Sequence, residues 1–313
     1  MEFDWSAQST TTWESFLKEI KHSNWMQTWP YAQAVRLRDY KFPRTVVIKI
    51  DQKKVGICIF FEIKFGPLHF IEIQRGPLWF DHAITEYGEV NLLIQFAKKI
   101  NEIYPKNIFR RRRWLPEFKN DSEVLESIKN IGFKAKTETF STVWVDLSFS
   151  IDIIRKNLRQ KWRNCLNKAE KLNLDIRFDF DMKNLNLFLL QYQKYKIQKK
   201  YVGLSPLFVK EEAKLAFQLK KCIFIWSYHD NVPIAAVMIS LHGHSASYRA
   251  SWNSELGRKF DSHYILIWKA INYLQSAGYH YFDLGGLLTD HAHLNHFKLG
   301  LGGKMQENIV TLS

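Results

Sequence analysis

Apolar and polar positions along the chain follow two periods, and the switches between them mark out the elements. Thr45 to Ile50, Val55 to Lys64 and Leu68 to Gln74 are β-branched and aromatic runs separated by short polar turns, which predicts a meander of strands. Glu89 to Tyr104 and Ser122 to Gly132 carry apolar residues three and four apart, the helical period, with Gly132 closing the second. Further on, Ile223 to Tyr228 has strand composition, His229-Asp230-Asn231 reads as a turn, and Val232 to Ile239 reads as a largely buried strand. Ser245 to Ser251 makes another. Asp261-Ser262 is the expected N-cap of a helix with apolar positions Tyr264, Ile267, Trp268, Ile271 and Leu274, and Gly278 closes it. A last strand through Tyr279, Tyr281 and Phe282 breaks at Asp283-Leu284-Gly285-Gly286. A polar loop then leads to Phe297-Lys298 and three further glycines.

Each half of the chain therefore holds both sheet and helices, and the natural division falls near Ser141 to Ser150. The expected domains are 1–145 with a returning tail 305–313, and 146–304. The two glycine clusters around Phe297-Lys298 predict places where the backbone approaches a ligand or another strand closely, since a Cβ would forbid it.

Composition sets the scale. A chain of 313 residues, 46% of them hydrophobic and 15% aromatic, has material for one large core or two medium ones, and its length favours two domains. No run approaches the ~18 uninterrupted apolar residues of a membrane span, and the acidic start MEFDWSAQSTTTWESF argues against a secretory signal. Cys58, Cys165 and Cys222 lie far apart without CxxC spacing, which predicts reduced structural thiols. His291, His293 and His296 crowd the loop before Phe297, without the cysteines of a zinc site. No metal is expected.

The formal net charge of +14 attracts polyanions, although a lysine-, asparagine- and isoleucine-rich composition gives the same excess without any ligand. Local clustering favours a ligand. Ile151 to Lys171 carries five net positive charges, and on one helix Arg155, Arg159 and Arg163, four apart, would share a face whose repulsion an anion relieves. Arg110 to Arg113 read as a strand, which sends Arg110 and Arg112 to one face and Arg111 and Arg113 to the other, with at least one pair wet or anion-bound.

Strand, hairpin, strand, helix, strand is the order found in the second half of a GNAT acyltransferase domain. Further motifs make the likeness more specific. Trp25-Met26-Gln27-Thr28-Trp29-Pro30-Tyr31-Ala32-Gln33-Ala34-Val35-Arg36, Gln74-Arg75-Gly76-Pro77, Val143-Trp144-Val145-Asp146-Leu147-Ser148 with its basic helix, and Phe282-Asp283-Leu284-Gly285-Gly286 with Phe297-Lys298-Leu299-Gly300 occur in the order of the Fem-type aminoacyltransferases. The chain resembles that family, which adds amino acids from aminoacyl-tRNA to peptidoglycan stem peptides, over nearly its whole length. The resemblance implies an α/β protein of two tandem GNAT-like domains with a cleft between them. No long heptad segment is present, so the coiled-coil arm of some members is not expected.

Carried over residue by residue, the resemblance implies that Lys298, with Phe297, stabilises the oxyanion or the tRNA terminal ribose and phosphate. Arg36 and Lys200 would contact acceptor phosphate, Tyr248 would line the acceptor pocket, and Arg75 belongs to the family's RGP element on the substrate side. Asp283 would help proton transfer or cap backbone. Arg110, Arg112, Arg155, Arg159 and Arg163 would meet tRNA.

One departure from ordinary GNAT acetyltransferases bears on the donor. Their coenzyme A pyrophosphate lies against a glycine-rich turn opening the central helix, where bare N–H groups reach it. Here that turn reads Arg258-Lys259-Phe260-Asp261-Ser262-His263, with Asp261 and His263 in the glycine places. No G-x-S-x-G elbow, Cys/His pair or HExxH is present, and acyl transfer to an amine requires none. The expectation is an aminoacyltransferase using aminoacyl-tRNA as co-substrate and no cofactor. Its acceptor would be an amine of a nucleotide- or lipid-linked peptidoglycan precursor, and the protein a cytoplasmic monomer, peripheral at the inner membrane face. The alternatives are an N-acyltransferase using acyl-CoA or acyl carrier protein, and a non-catalytic RNA-binding protein.

Overall fold

The three apolar runs of the first third form the predicted meander. The computed structural model describes residues 1–136, 140–200, 203–287, 292–308 and 310–313, which cluster into two units, Met1–Ser141 with Gln306–Ser313, and Thr142–Met305. In the first unit the elements are β1 (Glu2–Asp4), α1 (Thr10–Leu17), α2 (Trp29–Asp39), β2 (Phe42–Ile50), β3 (Lys53–Phe65), β4 (Leu68–Gln74), β5 (Leu78–Trp79), α3 (Asp81–Tyr87), α4 (Glu89–Ile103), β6 (Arg110–Leu115) and α5 (Ser122–Asn130). The sheet runs β1-β2-β3-β4-β6, with β5 on β3. β2, β3 and β4 are antiparallel, whereas β6 returns parallel to β4 after a crossover that carries α3 and α4. Leu92, Leu93, Phe96, Ala97 and Ile100 form the buried stripe of α4, and Phe96 meets Phe60 at 6.1 Å and Trp114 at 5.4 Å.

The second unit repeats this plan. Its elements are β7 (Phe140–Asp146), which begins two residues before the boundary, α6 (Ile151–Asn157), α7 (Gln160–Lys171), β8 (Asp175–Asp179), α8 (Leu185–Lys199), α9 (Pro206–Gln218), β9 (Cys222–His229), β10 (Val232–His242), β11 (Ser245–Asn253), α10 (Glu255–Lys259), α11 (Ser262–Ser276), β12 (Tyr281–Gly286), α12 (Ala292–Gly300) and β13 (Lys304–Asn308), which runs past it. The strand order is β13-β7-β12-β11-β10-β9-β8, and β12 returns parallel to β11 after α10 and α11. The β2–β3 and β9–β10 hairpins each turn on two left-handed residues, Asp51-Gln52 and Asp230-Asn231. The tail closes on the first unit, where Leu312 bridges Trp114 and Ala135.

Several expectations need correction. The basic stretch is two helices, because Leu158 and Arg159 are extended (ψ 134° and 148°). The break admits the turn after α12: Arg159 N–H donates to Gly300 carbonyl (2.9 Å), and the Arg163 guanidinium takes the Lys156 and Leu158 carbonyls (3.0 and 2.8 Å). Arg155, Arg159 and Arg163 therefore share no single helix face. Phe297-Lys298 lie in α12 rather than a loop, and β12 continues through both glycines instead of ending before them. Asp261 does precede α11, but in the left-handed region (φ 55°), with its carboxylate on Lys168 instead of a helix N–H. Among the described residues no helix exceeds 15 residues or is long and apolar enough to cross a membrane.

Glu212 on α9 is fully buried and receives both arms of Arg249 on β11 (2.8 and 2.9 Å). Glu212→Ala removes the carboxylate from a largely enclosed guanidinium and should destabilise the protein by about 3–5 kcal/mol in urea unfolding, whereas Glu212→Leu with Arg249→Met should recover most of the loss.

Candidate functional site

The two central parallel strands of the second unit pair over only three positions, Ser245↔Tyr281, Ala246↔Phe282 and Ser247↔Asp283. Beyond Ser247, β11 follows β10, while β12 stays with β7 as far as Gly286↔Thr142. The divergence begins at a bulge. Partners of β10 skip from Ala250 to Tyr248, so Arg249 is the extra residue that bends β11, and Glu212 fixes it there. Gly285 (φ 76°) turns the other lip of the opening.

Lys298 fills the wedge from α12. Its Nζ donates to the Gly286 carbonyl at 2.7 Å, and a Cβ on Gly285 would stand 3.7 Å from that Nζ and 3.9 Å from the Tyr248 carbonyl. The side chain is 6% exposed, and burial pulls its pKa down to about 8, an effect partly offset by the negative charge of Asp283. Asp283 is itself buried, accepting from Thr142 Oγ1 (2.6 Å) and Gly285 N–H (2.7 Å). Its carboxylate thus caps the turn that shapes the wedge. Phe297 packs edge-on to Tyr264 (5.1 Å) and lies 5.9 Å from Trp162, whose ring excludes any Cβ at Gly300. The second glycine cluster serves chain packing: added Cβ atoms at Gly302 and Gly303 would meet the carbonyls of Asn157 and Trp144 at 2.3 and 2.7 Å.

The turn before α11 is occupied by its own side chains. Lys168 Nζ bonds the Asp261 carboxylate (2.8 Å) and the Lys259 carbonyl (2.9 Å). His263 Nε2 donates to the Trp252 carbonyl (3.1 Å), and burial lowers its pKa to about 4, so the ring is neutral.

The fold is shared with solved structures. FemX superposes with a TM-score of 0.81 at 14% identity, covering 100% of this chain and 96% of FemX. The chain has the tandem GNAT fold. An acetyltransferase of the GNAT family from Colwellia psychrerythraea matches at 0.53 and 8% identity over 100% and 99% of the two chains. The C-terminal domain of a putative lysylphosphatidylglycerol synthetase from Agrobacterium fabrum matches at 0.55 and 12% over 91% and 87%. No family model and no curated protein matches the sequence.

Within this tandem GNAT fold, Lys298, Phe297, Asp283 and Tyr248 come together in the second unit. Tyr248 bonds Ser251 through its hydroxyl and packs on the core, contributing its main chain to the wedge. Other candidates are employed internally. Arg75, buried with φ 50°, grips Glu117 with both arms, and its carbonyl accepts from Asn24 (2.6 Å). Arg112 is buried against Phe133 and donates to Asn101 and the Tyr104 carbonyl, and Arg110 donates to the Pro105 carbonyl. The alternation is as expected, but the outward pair is Arg111 and Arg113, not Arg110 and Arg112. Arg155 is bound by Glu170 and Arg163 by carbonyls, which leaves Arg159 as the exposed one of the three. Arg36, beside Phe42, and Lys200, the left-handed cap of α8, are exposed. His293 and His296 lie on α12, His291 falls outside the described residues, and no metal-binding cluster occurs among those described.

Sequence reasoning missed Thr142, Arg249 and Glu212. Thr142 lies 141 positions from Asp283, and nothing local marks a β-branched strand residue as a carboxylate partner.

A buried ammonium opposes folding. Between about 8 and 10.5 the unfolded chain binds the proton that folded Lys298 has lost, so stability rises with pH across that window, and the full cost applies below it. Lys298→Met should therefore be more stable than the parent at pH 7 by about 1–3 kcal/mol in thermal unfolding, with the difference shrinking as pH rises towards 10.5.

Proposed function

We propose that this protein is an aminoacyltransferase that moves an amino acid from aminoacyl-tRNA to an amine, with a peptidoglycan precursor as acceptor. The observation that carries the reading is the buried Lys298 in the wedge between β11 and β12. A positive group held in a dry site, already ordered before substrate arrives, stabilises an oxyanion without paying reorganisation. The acceptor amine attacks the ester carbonyl, the C–N bond forms, and charge develops on the carbonyl oxygen beside the Lys298 ammonium. As the intermediate collapses, the C–O bond to the tRNA terminal ribose breaks, and the amine's proton leaves with the ribose hydroxyl. The Asp283-Gly285-Thr142 contacts hold the strand that positions Lys298 through the Gly286 carbonyl.

The occupied turn before α11 supports a donor other than acyl-CoA. Asp261 and the His263 ring stand where pyrophosphate would need bare N–H groups, and Lys168 is already engaged there. The exposed Arg159, whose backbone meets the end of α12, is suited to phosphates of the RNA terminus. The Fem-type motifs at Trp25 to Arg36, Gln74 to Pro77 and Phe282 to Gly286 support the acceptor class.

Incubation with a set of charged tRNAs and amine acceptors, including nucleotide-linked stem peptides, should consume the ester and form amide. Lys298→Ala should lower the rate about 10²–10³-fold. The parent's rate should fall above pH 8 as the ammonium loses its proton. Turnover of acyl-CoA with indifference to charged tRNA would replace this reading, and RNA binding without transfer would leave a binding protein.

A further inference from the structure

The first sheet has one face covered by α4 and the other covered only in part. α2 lies over the second face at Phe61, where Tyr31 meets the ring at 6.3 Å, and the hairpin end beyond it is bare. On that bare face Phe65 pairs with Leu68, Ile63 with Phe70, and Phe70 with Arg111, so their side chains point the same way. The turn leading into β6 lies alongside, because His69 N–H donates to the Phe109 carbonyl (2.9 Å). The outcome is an apolar tip in which Phe65 is 79%, Phe70 42% and Ile108 77% exposed. A set of large side chains exposed together on neighbouring loops is not ordinary surface.

Its rim is cationic. Arg111 and Arg113 are exposed on this face, and Lys106 is exposed in the turn that leads into β6. Glu72 is the one carboxylate among the strand residues of this face, and it is held between Lys41 (2.5 Å) and Arg113 (3.1 Å). A cavity of about 190 Å³ opens at the same place, with Phe61, Ile63 and Phe70 as floor and Lys41, Arg111 and Arg113 around it.

We propose that this tip docks on the surface of a bilayer containing anionic phospholipid. The aromatic and aliphatic side chains enter the boundary between headgroups and acyl chains, while the surrounding ammonium and guanidinium groups meet lipid phosphates. The mixture distinguishes a bilayer from single-stranded RNA. Bases stack on aromatic faces, whereas Leu68 and Ile108 offer no such platform and the apolar groups sit on the ends of a hairpin and a turn. The surface belongs to the first unit alone and is independent of the chemistry at Lys298.

Co-sedimentation of the full chain with vesicles tests it. Binding is expected to phosphatidylcholine mixed with phosphatidylglycerol and not to phosphatidylcholine alone, and it should weaken as salt rises. Phe65→Ser with Phe70→Ser, and separately Arg111→Glu, should each lower the affinity roughly tenfold or more with an unchanged thermal melt. All these positions are exposed, and Phe65→Ser alone serves as a further variant should the double one unfold. Failure of the parent to bind mixed vesicles, or equal binding by parent and variants, would overturn the proposal. So would loss of oligouridylate binding in the variants when no vesicle is bound.

Discussion

Placing one ammonium between two parallel strands is the constraint around which the second unit is arranged. Water would hold that charge at far lower free energy, and the fold gives it one carbonyl, from Gly286, and a carboxylate, Asp283, nearby. The two strands beside it are irregular. The bulge at Arg249 draws β11 aside, Glu212 locks the bulge from α9, Gly285 bends β12, and Asp283 ties that bend to Thr142 on β7. Of these, the turn at Gly285 and the Gly286 carbonyl meet Nζ directly, while Arg249, Glu212 and Thr142 act on the two strands that flank it.

Periodicity made most of the frame legible. β2 to β4, β9 to β11 and helices α4, α5 and α11 were visible because each is an apolar run or an apolar stripe at helical spacing with a glycine or polar turn at its end. What stayed hidden was set by contacts between distant residues. The break at Leu158-Arg159 follows no local signal, since a continuous helix would also align Ile154, Leu158, Trp162 and Leu166; it depends on the turn after α12 arriving to take the freed backbone groups. The glycines before and after α12 suggested a loop, although Leu294 and Phe297 have helical spacing. β8 is short and lies at a sheet edge, where alternation over five residues is a weak signal.

The same holds for charge. An excess of +14 suggested broad anion-binding faces, yet Arg75, Arg112, Arg155, Arg163 and Arg249 are drawn into carboxylates, carbonyls or rings of the protein itself. Composition counts charges without saying which are already neutralised, and only the coordinates of partners separate a ligand-seeking arginine from a bracing one. The candidate site was proposed on a lysine between glycine clusters; the residues that brace the strands around it were not, because they are spread over β7, β11 and α9.

The bridges from Leu312 to Trp114 and Ala135 bear on how the chain is made. The first unit takes its closing contacts from residues synthesised after the whole of the second, so on the ribosome it must wait, incomplete, while roughly half of the protein emerges. Its exposed edges are then at their most vulnerable to aggregation, and the order of translation imposes on this protein a dependence that a simple succession of two autonomous domains would escape.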